Sequence, residues 1–421
     1  MEFSSAHWYA CITLFIAFVI ESWEMMIFIF SSAEIGAEFG LSTTEIGSLI
    51  GALFLGMIPG ALIWGKLMSQ IGRKKCMLLS IGLYGIFPLL SAFSPTYEFL
   101  WGVRFLCGVV LSGALVVTFP YFEELVPVVS RGKATVYLSS GWPLGVLIAV
   151  GLTAAFSDQG WRFILGLGSV ASLWSLAIWK FVPESPYWLA DKGLYSQAKA
   201  SLKQLSMSQF KEIHIQETEL VSKTPSSFIK IFHQPYTRRT IVQTIINFCF
   251  SWGYWAMASW MPILLAKKGL SAPEGLGFIA LSTLFMFPGY ISASYMTGRI
   301  GRKKTMLTYI LIAAIAGFGF AYSQTQSEMY FWNFTLSFFS LGAWGVWNTW
   351  LGEIYNTSAR GHGVAWGISA QRIANSVAPI AIGAMLASTS FLQTVMFISM
   401  FFGVTFISAL FLPETEGQVL S

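Results

Sequence analysis

The sequence predicts an all-α membrane protein of twelve transmembrane helices in two pseudo-symmetric six-helix halves. Composition, a series of long apolar runs and an internal repeat all lead there. Of 421 residues, 55% are hydrophobic and 11% charged, and the mean hydropathy is +0.63. A soluble domain carries about 25% charged residues, so this chain lacks the polar surface to face water all round. About 20 apolar residues cross roughly 30 Å of hydrocarbon. Such runs fall at 8–30, 46–68, 76–94, 98–120, 134–157, 162–182, 238–266, 276–297, 303–323, 328–351, 362–387 and 390–412. One or two could be buried helices of a soluble core. Twelve in series could not.

The first run starts at Trp8, follows no basic residue and contains Glu21 and Glu24, unlike a cleaved signal peptide. Cys11, Cys76, Cys107 and Cys249 fall in or beside apolar runs and imply neither disulfides nor a metal cluster. Lys and Arg gather in alternate loops. These hold Arg73, Lys74 and Lys75; Arg131 and Lys133; the 183–237 segment; Arg299, Arg302, Lys303 and Lys304; and Arg360. Of 25 basic residues, the opposite loops hold only Arg162, Lys267 and Lys268, while Arg104 and Arg372 lie inside runs. The positive-inside rule then puts the basic side and both termini in the cytoplasm. The net charge of +5 follows from this asymmetry and does not point to nucleic acid. A short 31–45 loop without glycosylation sites points to a bacterial inner membrane.

The repeat is carried by three motifs. Gly72-Arg73-Lys74-Lys75 recurs as Gly301-Arg302-Lys303-Lys304, an offset of 229. Glu124 and Arg131-Gly132 recur as Glu353 and Arg360-Gly361 at the same offset, and Pro183-Glu184-Ser185-Pro186 as Pro413-Glu414-Thr415-Glu416 at 230. The halves are then 1–185 and 238–421, joined by a polar segment, 186–237, expected to form short cytoplasmic helices. Two parallel halves with a site at their midplane interface form a known transporter plan.

These residues carry a family resemblance. Over essentially its full length the chain resembles a major facilitator superfamily transporter. Gly65-Lys-Leu-Met-Ser69-Gln-Ile-Gly72-Arg73-Lys74-Lys75 is similar to that family's helix 2–3 signature. It departs at Ser69, where an aspartate is usual; the second copy has Gly298 there. Pro183-Glu-Ser-Pro-Tyr-Trp-Leu189 and Pro413-Glu-Thr-Glu-Gly417 resemble the motifs that end each half in sugar porters and their neighbours. The resemblance implies conformational-gate residues at Gly65, Gly72, Arg73, Glu124, Arg131, Gly301, Arg302, Glu353 and Arg360. Such residues can also brace the inward face without touching substrate.

Charges inside a membrane are costly and usually functional. Glu21 and Glu24 sit at i and i+3 and share a helix face. Two close carboxylates in a low dielectric cannot both ionise at small cost, which suits a proton carrier. The pair resembles the acidic-x-x-acidic motif of aromatic acid:proton symporters, with Ser22 where Gly is usual. Arg104, in Leu100-x3-Arg104-x3-Gly108, resembles the superfamily's helix 4 arginine linked to proton coupling, and a helix 1 glutamate is its natural partner. Ser369-Ala-Gln-Arg372-Ile-Ala-Asn-Ser-Val-Ala-Pro379 resembles helix 11 of the organic ion, niacin-type and synaptic-vesicle-type carriers, where an arginine goes with organic anions. A guanidinium offers the planar fork that a carboxylate accepts bidentately. A pairing of Arg372 with Glu353 is the structural alternative.

Aromatics complete the candidate site: 17 Trp, 15 Tyr and 36 Phe. Asn247, Trp252 and Trp255 in helix 7 and Trp347 and Asn348 in helix 10 suit a flat or aromatic substrate, with Tyr137 and Trp142 in helix 5 beside them. Any single one of these can equally be belt or packing. The function expected is proton-coupled uptake of a small organic anion, nicotinate-like or another aromatic monocarboxylate, by alternating access. Export of drugs or metabolites, and sugar uptake, are the rivals within the family. A membrane sensor or enzyme has less support, since no nucleotide loop, metal spacing or appended soluble domain is evident. The partners expected are the organic anion, protons and the lipid bilayer, with no cofactor, metal or nucleic acid, and a monomeric state.

Overall fold

The computed structural model describes residues 4–126, 137–206 and 228–416, which form helices and turns, with no strand among the described residues. The long helices are α1 (Ser5–Phe39), α2 (Thr43–Ile71), α3 (Arg73–Ala92), α4 (Tyr97–Leu125), α5 (Tyr137–Ala155) and α6 (Ser157–Phe181). After the segment between them come α7 (Thr237–Lys267), α8 (Ala272–Ile300), α9 (Arg302–Tyr322), α10 (Gln326–Glu353), α11 (Thr357–Leu386) and α12 (Phe391–Ala409). Among the described residues, nine of these are long and apolar enough to cross a membrane. The three that fall short in apolarity are α7, α10 and α11. They carry Gln243, Asn247, Asn333, Asn348, Gln371, Arg372 and Asn375.

One boundary differs from its expectation. The 31–45 loop shrinks to the turn 40–42, because α1 continues to Phe39. Ser31 and Ser32 stay helical by donating their hydroxyls to the carbonyls of Ile27 (2.9 Å) and Ile29 (2.7 Å), a local bond open to serine. Gly40, at φ 65°, then ends the helix in the left-handed region. In the 186–237 segment, the described residues hold two short helices, Pro186–Asp191 and Tyr195–Ser206, and a 3-10 turn, Phe228–Phe232.

Helices begin in two chemically different ways. At α2, α8, α10 and α12 a Ser or Thr caps the helix and the residue three further on, Glu45, Glu274, Glu328 or Gln393, reaches back to the cap's backbone N–H. This reciprocal box satisfies donors that the first turn would leave bare. At α3 and α9 a glycine precedes an arginine instead, with Gly72 at φ 97° and Gly301 at φ 89°.

By contacts the chain forms two compact units. The first comprises Met1–Glu34 and Leu55–Ser222, the second Ile35–Phe54 and Lys223–Ser421. The core of the first runs through Leu14, Phe18, Trp64, Met77, Ile81, Val117, Tyr121 and Ile178. Here α2 meets α4 at Gly60, where a Cβ would lie 2.5 Å from the Val109 carbonyl oxygen. In the second unit α8 meets α10 at Gly289, where a Cβ would lie 2.2 Å from the Phe338 oxygen. Both pairs obey the 229 offset. The 35–54 hairpin packs on α11 with the same economy. Thr43 Oγ1 donates to the Gly383 carbonyl (2.6 Å), and a Cβ on Gly47 or Gly51 would strike the carbonyl of Pro379 or Ser376.

Candidate functional site

The repeated motifs fold into the same clamp twice. In the first unit Arg73 forks onto Glu124, Nε to Oε2 at 2.9 Å and Nη2 to Oε1 at 2.8 Å. Glu184 accepts from the backbone N–H groups of Arg73 (2.9 Å) and Lys74 (3.1 Å). The second unit repeats this: Arg302 forks onto Glu353 at 2.9 and 2.8 Å, and Glu414 accepts from the N–H of Arg302 (2.9 Å) and Lys303 (3.1 Å). Gly72 and Gly301 are required because a Cβ would meet Glu184 Oε2 at 2.3 Å and Glu414 Oε2 at 2.4 Å. Gly65 has no such reason, with nothing within 4 Å of a Cβ. Ser69, the departure from the motif, leaves the fork intact: its Oγ donates to the Lys66 carbonyl, and its own carbonyl accepts from Trp188 Nε1. Arg131 lies outside the described residues. Arg360 is half-buried, and its Nε and Nη2 have no hydrogen-bond partner among the described residues.

Deeper in the first unit, α1 and α4 bring two opposite charges together. Arg104 Nη1 donates to Glu24 Oε1 at 3.1 Å, and both side chains are 1% exposed. The guanidinium also lies over the Phe28 ring, 3.9 Å from its centroid. The contact is single rather than forked, since Glu24 Oε2 and Arg104 Nε are buried without a hydrogen-bond partner among the described residues. Gly168 of α6 makes room for that free oxygen; a Cβ there would lie 2.7 Å away. Glu21 is buried one turn earlier on α1. Between them Ser22 Oγ donates to the Trp142 carbonyl of α5 at 2.7 Å, a tie that glycine could not make.

The second unit gathers amides. Asn247 Oδ1 accepts from Trp347 Nε1 (2.9 Å) and Gln371 Nε2 (2.6 Å), and its Nδ2 donates to Gln243 Oε1 (2.6 Å). One amide thus joins α7, α10 and α11. With its amide oriented to satisfy its neighbours, Asn375 extends the cluster, donating to Ser251 Oγ and to the Gln371 carbonyl and accepting from Trp255 Nε1 at 3.1 Å. Arg372 follows Gln371 on α11 and is half-buried. Glu353, its alternative partner from the sequence, is taken up by Arg302 and Thr415. Trp252 stacks on Phe401 at 4.9 Å, and its N–H is buried with no acceptor among the described residues.

Two other expected residues lie apart. Asn348 is exposed, with no described hydrogen bond to the amide cluster, and Tyr137 is 71% exposed. Sequence reasoning passed over Gln243, Gln371 and Asn375. Their signal was available, because Gln371 and Asn375 flank Arg372 in the helix 11 stretch and Gln243 stands one turn before Asn247. Among the described residues no group of three His, Cys, Asp or Glu side chains could hold a metal ion.

Comparison with known proteins follows the same lines. The family model of the Major Facilitator Superfamily matches residues 13–349 and 279–420. The niacin transporter NiaP of Acinetobacter baylyi is 30% identical over 391 residues, covering 91% of this chain and 88% of that protein. The synaptic vesicle 2-related protein of Rattus norvegicus is 23% identical over 445 residues, covering 99% and 80%. Among solved structures, the inward open conformation of the xylose transporter XylE from E. coli matches with a TM-score of 0.78 at 17% identity, covering 98% of each chain.

Proposed function

The chain belongs to the Major Facilitator Superfamily, as a multi-pass membrane transporter rather than an enzyme, and from that premise we propose that it takes up a nicotinate-like organic anion together with protons. The observation that carries the reading is the buried Glu24–Arg104 pair. A carboxylate with one oxygen held by a guanidinium and the other free of partners can take a proton on the free oxygen, which releases the arginine. Glu21, one turn away, supplies a second acid on the same helix. Arg372 then binds the substrate carboxylate, and the amides beside it, with Trp252, Trp255 and Trp347, receive a flat ring. The niacin transporter at 30% identity supports that substrate class. Membrane insertion is read as bacterial inner membrane, with the clamp side and both termini cytoplasmic.

The test is uptake of radiolabelled nicotinate into proteoliposomes under an imposed pH gradient, inside alkaline. Accumulation is expected with protons as the sole gradient, and Glu24→Gln is expected to abolish it while leaving counterflow exchange. Each proton moving down a pH gradient of one unit supplies about 1.4 kcal/mol, roughly ten-fold accumulation. Uptake driven by a sodium gradient at fixed pH, unaffected by a protonophore, would overturn the coupling.

A further inference from the structure

Beside the first clamp lies a cavity that neither the clamp nor the transport charges use. It measures about 430 Å³ and is lined by Gln70, Ile71, Lys75, Leu78, Leu79 and Trp188, a volume within the range of ordinary ligand sites. Its chemistry is divided. Lys75 is exposed and has no hydrogen-bond or ion-pair partner among the described residues. Leu78 and Leu79 stand at i+3 and i+4 from it on α3, so an aliphatic wall continues from the cation along the helix. Leu79 is 46% exposed. The indole of Trp188 closes the lining from the short helix Pro186–Asp191 and is held there by Nε1 donating to the Ser69 carbonyl at 3.0 Å.

A soluble anion would use the lysine and leave the leucines facing water; an apolar tail alone would leave the lysine unanswered. A phospholipid offers both parts, and the bilayer delivers it at the membrane-span ends where α2 and α3 meet. Lysines at that depth attract anionic headgroups, and tryptophan favours the same boundary. We propose that this cavity binds one anionic phospholipid, its phosphate against Lys75 and Gln70 and an acyl chain along Leu78 and Leu79 beneath Trp188. The internal repeat supplies a control. Lys304 is exposed at the offset of 229 from Lys75, but Arg299 and Thr308 stand where Gln70 and Leu79 stand. The second copy thus gains a second cation and, keeping Leu307 in the place of Leu78, loses only the Leu79 part of the wall.

Native mass spectrometry of the full-length purified transporter tests this, with phosphatidylglycerol, phosphatidylcholine and inorganic phosphate as probes. Wild type is expected to retain one tightly held phosphatidylglycerol that phosphatidylcholine and phosphate do not displace. Lys75→Ala should weaken that binding roughly five-fold, the effect of one charge near the surface, and Lys75→Glu should weaken it further, while Lys304→Ala matches wild type. Equal losses in Lys75→Ala and Lys304→Ala would reduce the effect to general surface charge and overturn the site. Equal retention of phosphatidylcholine, or displacement by phosphate alone, would overturn the proposed occupant. Should a Lys75 variant fold poorly, Gln70→Glu places an acid at the same headgroup position. Its unchanged retention of phosphatidylglycerol would equally overturn the proposal.

Discussion

Removing Arg104 should be more damaging than neutralising Glu24, and the difference can be worked from the geometry. Arg104→Ala deletes the 3.1 Å contact and leaves the Glu24 carboxylate buried with neither oxygen paired, since Oε2 already lacks a partner. Stranding one member of a buried ion pair costs about 3–5 kcal/mol. Loss of the guanidinium from the Phe28 face, 3.9 Å away, adds roughly 2 kcal/mol when desolvated. Glu24→Gln also leaves a buried charge, that of Arg104, without its counterion, but keeps an oxygen for the guanidinium to donate to, so its cost should be lower by about 1 kcal/mol for the hydrogen bond retained. The double variant Glu24→Leu/Arg104→Leu removes both charges together and should return to within about 1 kcal/mol of wild type, because apolar replacement of a buried pair is often neutral or better. Denaturant unfolding of this double variant and of its own single variants, Glu24→Leu and Arg104→Leu, followed by tryptophan fluorescence, closes the double-mutant cycle, and uptake is measured on the same preparations. A stable but inactive double variant separates coupling from bracing. A cycle energy under about 0.5 kcal/mol, the scale of independent sites, would refute the pairing argument.

Three further outcomes follow from the other sites. Arg372→Ala should weaken nicotinate binding by about 2–5 kcal/mol, with Arg372→Lys recovering only part because a point charge lacks the fork; calorimetry on well-folded protein checks both, and wild-type affinity in Arg372→Ala would count against anion binding there. Asn247→Leu should destabilise the second unit by about 1–3 kcal/mol for each buried donor it strands, at Trp347 and at Gln371, as read from thermal unfolding. Gly301→Ala should cost at least about 1–2 kcal/mol, as a non-glycine residue in the left-handed region whose Cβ displaces Glu414, whereas Gly65→Ala should change stability by less than about 0.5 kcal/mol; equal melting shifts would undo the distinction.

How much of this was legible in the chain depends on the distance over which the information acts. The common offset of 229 is visible because duplication preserves spacing, and it sets Arg302 and Glu353 in register with Arg73 and Glu124; that each arginine forks onto its glutamate needed the fold. Composition and apolar runs announced the helical membrane class, but hydropathy weakened at α7, α10 and α11, the helices whose amides build the second-unit cluster. A buried amide lowers the apolar signal of its own helix, so the polar cluster and the faint spans are one phenomenon. Sequence named two glutamates as partners for Arg104; choosing Glu24 needed the rotation of α1 against α4, which no local pattern encodes. Gln371 and Asn375 were read past because a charge stood between them, and Asn348 was included through adjacency to Trp347 although successive helical residues face different ways. The 31–45 segment reads as a loop, but the hydroxyls of Ser31 and Ser32 bond back to their own helix and carry α1 through most of it.

The hairpin of residues 35–54 has a temporal consequence. Thr43 finds its acceptor on Gly383, 340 residues later in the chain. At about 5–20 residues per second of synthesis, roughly 17–70 s separate the two on the ribosome. For that interval the hairpin has left its neighbours in sequence without having met its neighbours in space. The small-residue face of Gly47 and Gly51, shaped for the backbone of α11, meanwhile has only lipid or other nascent helices to rest against. The second unit cannot therefore close in the order in which it is translated, and its completion waits on one of the last helices to emerge.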